Sequence, residues 1–257
     1  SLRKHLGQLM AISGTFREQK QARIARLKTM KQAGPINDYQ RYWLNDKLIR
    51  QYRKYKFDST LHYLQQNLGL AQKRGNDTLR THAQLQLAGL LLSSGIYKEA
   101  GDFLGAAPRN ILTDTLLTEY YSVKRRFYYE LYFHTRIDDL RQQYQRKYKA
   151  FTDSLLAHVP HQGKTYFAIR ETQLRDSGKF EACQRVNTQR LRRAVPGTYE
   201  YSVVAFERAL NYELMGQTRK MEKFYILSAC NDIQCAVRDN ASLATLARLY
   251  YKRGDLK

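Results

Sequence analysis

Residues 85–108 read LQLAGLLLSSGIYKEAGDFLGAAP. The first eight form an apolar run of the kind that sits in a buried helix. Ser93-Ser94-Gly95 ends that run, and Gly95 suits a tight turn because it takes positive φ without steric cost. A second helix starts at once. Tyr97, Ala100 and Leu104 follow i, i+3, i+7 and share one face. Tyr97 is large enough to wedge between the two helices, and Ala100 is small enough to let them approach. Pro108 closes the unit.

The pattern G-x-Y-x-x-A before a helix-ending Pro resembles the tetratricopeptide (TPR) helical hairpin. The chain repeats it loosely. In LRDSGKFEAC, Gly178, Phe180 and Cys183 take the places of Gly95, Tyr97 and Ala100. Phe57 and Thr60 do the same with Tyr55 where the turn glycine would be. A further hairpin runs from Tyr199 to Met215, turns at Gly216 and resumes at Thr218. A last helix starts near Asn240 and turns at Gly254. Gly178, Gly216 and Gly254 stand 38 residues apart. A fixed period with glycine at the turn predicts stacked αα-hairpins.

Other signals fill in the order. Leu2, Leu6, Leu9, Phe16, Ile24 and Leu27 predict one helix over 2–33, basic from Lys20 to Lys31 and ended by Gly34-Pro35. Asn37-Asp38 offers an N-cap for a helix through about Arg53, and Asn76-Asp77 caps the helix leading into Leu85. Thr113-Asp114 caps a long helix ending at His134, and Asp138 to His158 follows as its partner. The expected fold is all-α, a TPR-like superhelix, a right-handed solenoid of about five hairpins. Residues 1–34 form an N-terminal helix and residues 35–257 the repeat domain. Its last hairpin lacks a second helix, so the natural chain is expected to continue past Lys257.

The chain has 257 residues and a formal net charge of +21, from 44 Lys+Arg against 23 Asp+Glu. That imbalance favours acidic partners. No run approaches the length of a membrane span. No signal-peptide pattern is present, and because Ser1 is no initiator Met that absence is uninformative. The three cysteines Cys183, Cys230 and Cys235 carry no C-x-x-C and read as small buried apolar side chains without a disulfide. No phosphate loop, nucleophile elbow or H-E-x-x-H occurs. His158 and His161 flank a Pro with no acidic or Cys ligand beside them, and Asp138-Asp139 reads as acidic charge at a helix start. The expectation is a protein that is no enzyme and needs neither cofactor nor metal.

Residues 120–149 interleave tyrosines with cations. Tyr121, Lys124, Tyr128 and Tyr132 follow i, i+3, i+7, i+11, with Arg125 and Tyr129 at the edge of the stripe. Aromatic and guanidinium side chains together mark binding surfaces. If the stripe lines the concave groove, these six residues contact a protein or peptide partner, or an acidic ligand steered by Lys124 and Arg125. If it packs against neighbouring helices, it is core. The rival reading is a basic helical-repeat protein that binds nucleic acid directly.

Four strings resemble a family of Bacteroidota proteins of unknown function: QARIARLK at 21–28, YKFDSTLHY at 55–63, LQLAGLLLSSGIYKEA at 85–100 and AVRDNASL at 236–243. Such proteins look like membrane-anchored regulators with a secreted-side TPR-like domain, a transmembrane helix and a cytoplasmic coiled coil with a DNA-binding part. The resemblance implies that this chain is the periplasmic sensing half. Nucleic acid and membrane would then be met by parts beyond Lys257. The family supplies no catalytic residues.

Overall fold

The computed structural model describes residues 1–107, 112–238 and 241–255. Among them the chain forms thirteen α-helices and no strand. In chain order these are α1 (Leu2–Ala11), α2 (Ser13–Gln32), α3 (Asp38–Tyr52), α4 (Phe57–Lys73), α5 (Asp77–Leu92), α6 (Tyr97–Gly105) and α7 (Asp114–His134). They continue as α8 (Asp138–His158), α9 (Lys164–Asp176), α10 (Phe180–Arg193), α11 (Tyr199–Leu214), α12 (Thr218–Gln234) and α13 (Ala241–Arg253). Five helical hairpins follow the N-terminal helices, from α3–α4 to α11–α12, as the periodicity predicts. The closing Pro108, the last helix start near Asn240 and the end at Lys257 lie outside the described residues.

The turns obey one backbone rule. After α5 the Ile96 amide donates to the Leu91 carbonyl at 3.0 Å and the Gly95 amide to that of Leu92, with Gly95 at φ +74°. This is the Schellman arrangement, in which a left-handed residue lets two amides reach back to orphan carbonyls. Gly178 and Gly216 repeat it, with the Lys179 amide on Leu174 at 2.8 Å and the Gln217 amide on Tyr212 at 2.9 Å. Two residues after each of these glycines a new helix begins, and three residues further a buried side chain follows. Ala100 and Cys183 are 0% exposed there, and so is Thr60 in the first hairpin. The α3–α4 turn lacks the glycine, and Tyr55 is buried in its place, with its amide and that of Lys56 both on the Tyr52 carbonyl.

The helix starts follow their caps. Asn37 and Gln40 form a reciprocal capping box at α3, Asn76 accepts from the Leu79 amide at α5, and Thr113 accepts from the Leu116 amide at α7. One expectation fails. The single helix over 2–33 breaks at Ile12 (φ −99°, ψ 13°), between α1 and α2. Ser13 and Gly14 are weak helix formers. The break lets Leu6 and Leu9 join a core of Met221, Tyr225, Ala229 and Leu246, with Phe16 of α2 also packed on it. Sequence periodicity runs through such a break because both segments are helical.

The chain forms two compact units. The first comprises residues 1–26 and 162–257, the second residues 27–161. In the first, Lys20 is buried and its Nζ donates to the carbonyls of Cys235 (3.0 Å) and Ala236 (3.3 Å), so a cation caps the C-terminus of α12. Ala236 there has φ +49°. α12 stops at Gln234, so Cys235 lies in the cap and is half-buried, which corrects the expectation of three buried cysteines. The same unit buries a charged cluster. Glu171 on α9 is fully buried and accepts from Asn187 Nδ2 (2.9 Å) and from Arg190 on α10 (2.6 Å). Arg190 also pairs with Glu207 on α11. One guanidinium thereby ties three helices together.

In the second unit Leu85, Ala88, Leu104, Leu116 and Tyr120 make one apolar core. Leu91, Leu92 and Ala100 make another, with Phe57, Tyr97, Val123 and Phe127 against it. Tyr97 is half-buried, its ring 5.6 Å from that of His134 on α7.

Candidate functional site

In the second unit the first helices of three successive hairpins, α3, α5 and α7, are tied by polar contacts in register. Tyr42 meets His82 Nδ1 at 2.8 Å, and Gln86 Nε2 donates to Asp46 Oδ1 at 3.1 Å, both across a separation of 40 residues. Arg126 Nη1 donates to Ser93 Oγ at 3.2 Å across a separation of 33. These offsets set rungs across the three helices. Asp46, Gln86 and Glu119 share one rung, and Arg53, Ser93 and Arg126 share another. Tyr42, Asp46 and the α3 C-cap Arg53 fall at i, i+4 and i+11, and His82, Gln86, Gly89 and the α5 C-cap Ser93 at i, i+4, i+7 and i+11, so each set lies on one helix face.

The face is charged but only partly paired. Asp46 is 2% exposed and is satisfied by Gln86 and by Arg50 at 2.6 Å, whose side chain is 71% exposed. Among the described residues the structure gives neither the Glu119 carboxylate nor the Arg53 guanidinium a hydrogen bond or an ion pair. Burial, with Asp46 nearby, pushes Glu119 up to about 7 against the opposing pull of Arg53. Arg53 is exposed, and desolvation lowers its pKa while Glu119 and Asp46 oppose that. Burial also lowers His82. Between the acidic and basic rungs lies Gly89, with no atom within 4 Å of where its Cβ would stand. A helix-interior glycine costs about 1 kcal/mol relative to alanine. Here it leaves the floor of the face open.

The stripe expected from the sequence sits on another side of α7. Tyr128 stacks on Phe151 of α8 (5.5 Å between centroids, 9° between planes), and Tyr121 lies 5.1 Å from the His158 ring. Arg125 donates to Thr152 Oγ1 at 3.1 Å and to the Tyr148 hydroxyl at 3.0 Å. Arg141 lies over the Tyr132 ring, and Lys124 over Tyr120 of its own helix. Tyr129 stacks on Phe133 and meets Tyr148, yet stays 38% exposed. Tyr121, Arg125, Tyr128, Tyr129 and Tyr132 of the stripe therefore contact the hairpin partner α8. Two helices of 21 residues each have enough length to pair through these rings.

Sequence reading missed Asp46, Arg53, Glu119 and Arg126. Arg125 and Arg126 are neighbours on different faces, the first on α8 and the second on α5. The usable signal was the polar spacing on the first helix of each hairpin, together with a glycine inside the apolar run at 85–92.

The first unit holds a recess of about 130 Å³ lined by Tyr199, Val203, Phe206 and Ala241. Its polar floor is closed on itself: Ser242 meets Ser228 Oγ at 2.7 Å, and Ser202 donates to Asp232 at 2.5 Å. Among the described residues no group of three or more His, Cys, Asp or Glu is placed to hold a metal ion. No helix among them is long and apolar enough to cross a membrane.

No curated protein matches the chain. The family model described as the SusR N-terminal TPR domain matches residues 10–257. With its helical hairpins and Schellman turns in place, the chain belongs to the family of SusR N-terminal TPR domains, a non-catalytic helical-repeat module.

Proposed function

We propose that this chain is the extracytoplasmic sensing part of a membrane-anchored transcriptional regulator, on the periplasmic side of the inner membrane, and that it works by binding a protein or peptide partner. TPR modules generally mediate protein interactions, and the family is one of regulators. The observation that carries the reading is the α3–α5–α7 face, where polar side chains on a rigid apolar scaffold stay open to solvent. α7 is the central element. It offers Glu119 and Arg126 on that face and the exposed edge of Tyr129 on another, with Tyr121, Lys124, Arg125, Tyr128 and Tyr132 shaping the hairpin that holds them. Partner binding across hairpins would shift their packing, and a stacked array passes such a shift from neighbour to neighbour. In the full regulator the membrane and nucleic-acid contacts belong to other segments.

Topology tests this reading. Ser177→Cys places a thiol in the exposed α9–α10 turn. In cells expressing the full-length regulator, with the outer membrane permeabilised, a membrane-impermeant maleimide should label this variant above the parent protein. Labelling only after lysis of the inner membrane overturns the periplasmic assignment.

A further inference from the structure

We infer that the α3–α5–α7 face is a two-point peptide site: Arg53 and Arg126 grip a carboxylate over Ser93, while Glu119 receives a hydrogen-bond donor of the same segment. The inference rests on the partner-binding reading above and names the partner's chemistry.

Three independent observations lead to it. The first is convergence. Arg126, from the middle of α7, donates to Ser93 Oγ at 3.2 Å, and Arg53, at the C-cap of α3, stands at the 40-residue register offset from Ser93 and within electrostatic range of Arg126. Arg126 is 45% exposed, and among the described residues its ion-pair partner is Glu130, at 3.8 Å on its own helix. Two guanidiniums flanking a hydroxyl are a donor set for a carboxylate.

The second is the pair of charges without partners. Glu119 and Arg53 feel each other electrostatically but do not touch. Among the described residues neither group has a hydrogen bond or ion pair, and the partly buried Glu119 carboxylate is left without a donor. A ligand carrying an anion at one end and a donor at the other completes both.

The third is space. Gly89 lies between the two rungs, and nothing fills the position of a side chain there. A ligand backbone can cross α5 at that point.

The spacing specifies the ligand further. The acidic and basic rungs are seven residues apart along each helix, about 10 Å. An extended peptide covers about 10 Å in three residues. The matching segment has an acidic residue and a donor such as Lys three positions apart. An open face spanning three helices fits a segment of a protein better than an enclosed small molecule.

The test uses residues 1–257 and labelled peptides with one Glu and one Lys three positions apart among Gly and Ser, in both orders, read by fluorescence anisotropy. One order should bind, and replacing its Glu by Gln should weaken binding by about tenfold or more. The double variant Arg53→Ala, Arg126→Ala should lose at least about tenfold, whereas the equally charged control Arg185→Ala, Arg192→Ala on α10 should stay within about twofold. Equal losses in both doubles would reduce the effect to bulk positive charge and overturn the site. Failure to bind either peptide overturns it too. So does displacement of the peptide by single-stranded DNA with the same loss in both doubles, which favours nucleic acid. Any of these results alongside external labelling of Ser177→Cys leaves the sensing role standing with another partner chemistry. Labelling only after lysis removes the sensing role whatever the peptides do.

Discussion

Arg126 on α7 donates to the Ser93 hydroxyl on α5 at 3.2 Å, and this bond joins the third hairpin to the second at the helix end that Gly95 terminates. The turn and the face are thus built by adjacent residues. The Schellman geometry at Gly95 fixes where α5 stops, and Ser93 is its C-cap residue.

The turn itself is therefore open to test. Gly95 has φ +74°, a conformation that a β-branched residue resists. Gly95→Val should cost about 1 to 3 kcal/mol in urea unfolding, and Gly95→Asn clearly less, because Asn tolerates left-handed backbone. Equal costs for both would mean that lost space rather than backbone strain is being measured. No atom lies within 4 Å of the missing Cβ, which argues for strain.

The Glu171–Arg190–Glu207 cluster makes a different prediction. Arg190→Met leaves a fully buried carboxylate with Asn187 as its close donor and Arg175 at 3.7 Å as its remaining cation. Uncompensated buried charge costs about 3 to 5 kcal/mol, and the longer Arg175 pair should hold the loss at or below the lower end of that range. The double variant Glu171→Met, Arg190→Met removes both charges and should recover most of that loss. If the double is no more stable than the single, packing rather than charge holds the cluster.

Glu119 gives stability a sign with pH. Its folded pKa is raised to about 7 from an ordinary 4.5, chiefly by burial. Between these values the native state holds more protons than the unfolded state, so stability falls as pH rises through the window. Glu171, also raised by burial, acts in the same sense. Glu119→Gln should flatten the slope between pH 5 and 7 and raise stability by about 1 to 3 kcal/mol just above pH 7. Urea titrations of both proteins across that range check it, and an unchanged slope would place Glu119 in ordinary solvent.

The fold was legible because backbone rules leave local marks. Gly95, Gly178 and Gly216 mark turns, Asn37, Asn76 and Thr113 mark helix starts, and Ala100 and Cys183 mark close helix contacts. What was not legible depends on which helices meet. The break at Ile12 exists because Leu6 and Leu9 reach α12, more than 200 residues away. The Tyr121–Tyr132 spacing showed a shared face but not that the face belongs to α8. The rungs of Asp46 and Arg53 with Glu119 and Arg126 required the offsets between hairpins, which one helix read alone does not contain.

The central claim is that a partner segment crosses α5 at Gly89, and one substitution separates binding from folding there. Gly89→Leu removes a helix-interior glycine and meets no neighbouring atom at Cβ, so urea unfolding should show stability unchanged or raised by about 0.5 to 1 kcal/mol. This folded variant should lose at least about tenfold in affinity for the Glu–Lys peptide, because the side chain occupies the ligand's path. A Gly89→Leu protein that is stable and binds the peptide as tightly as the parent would contradict it.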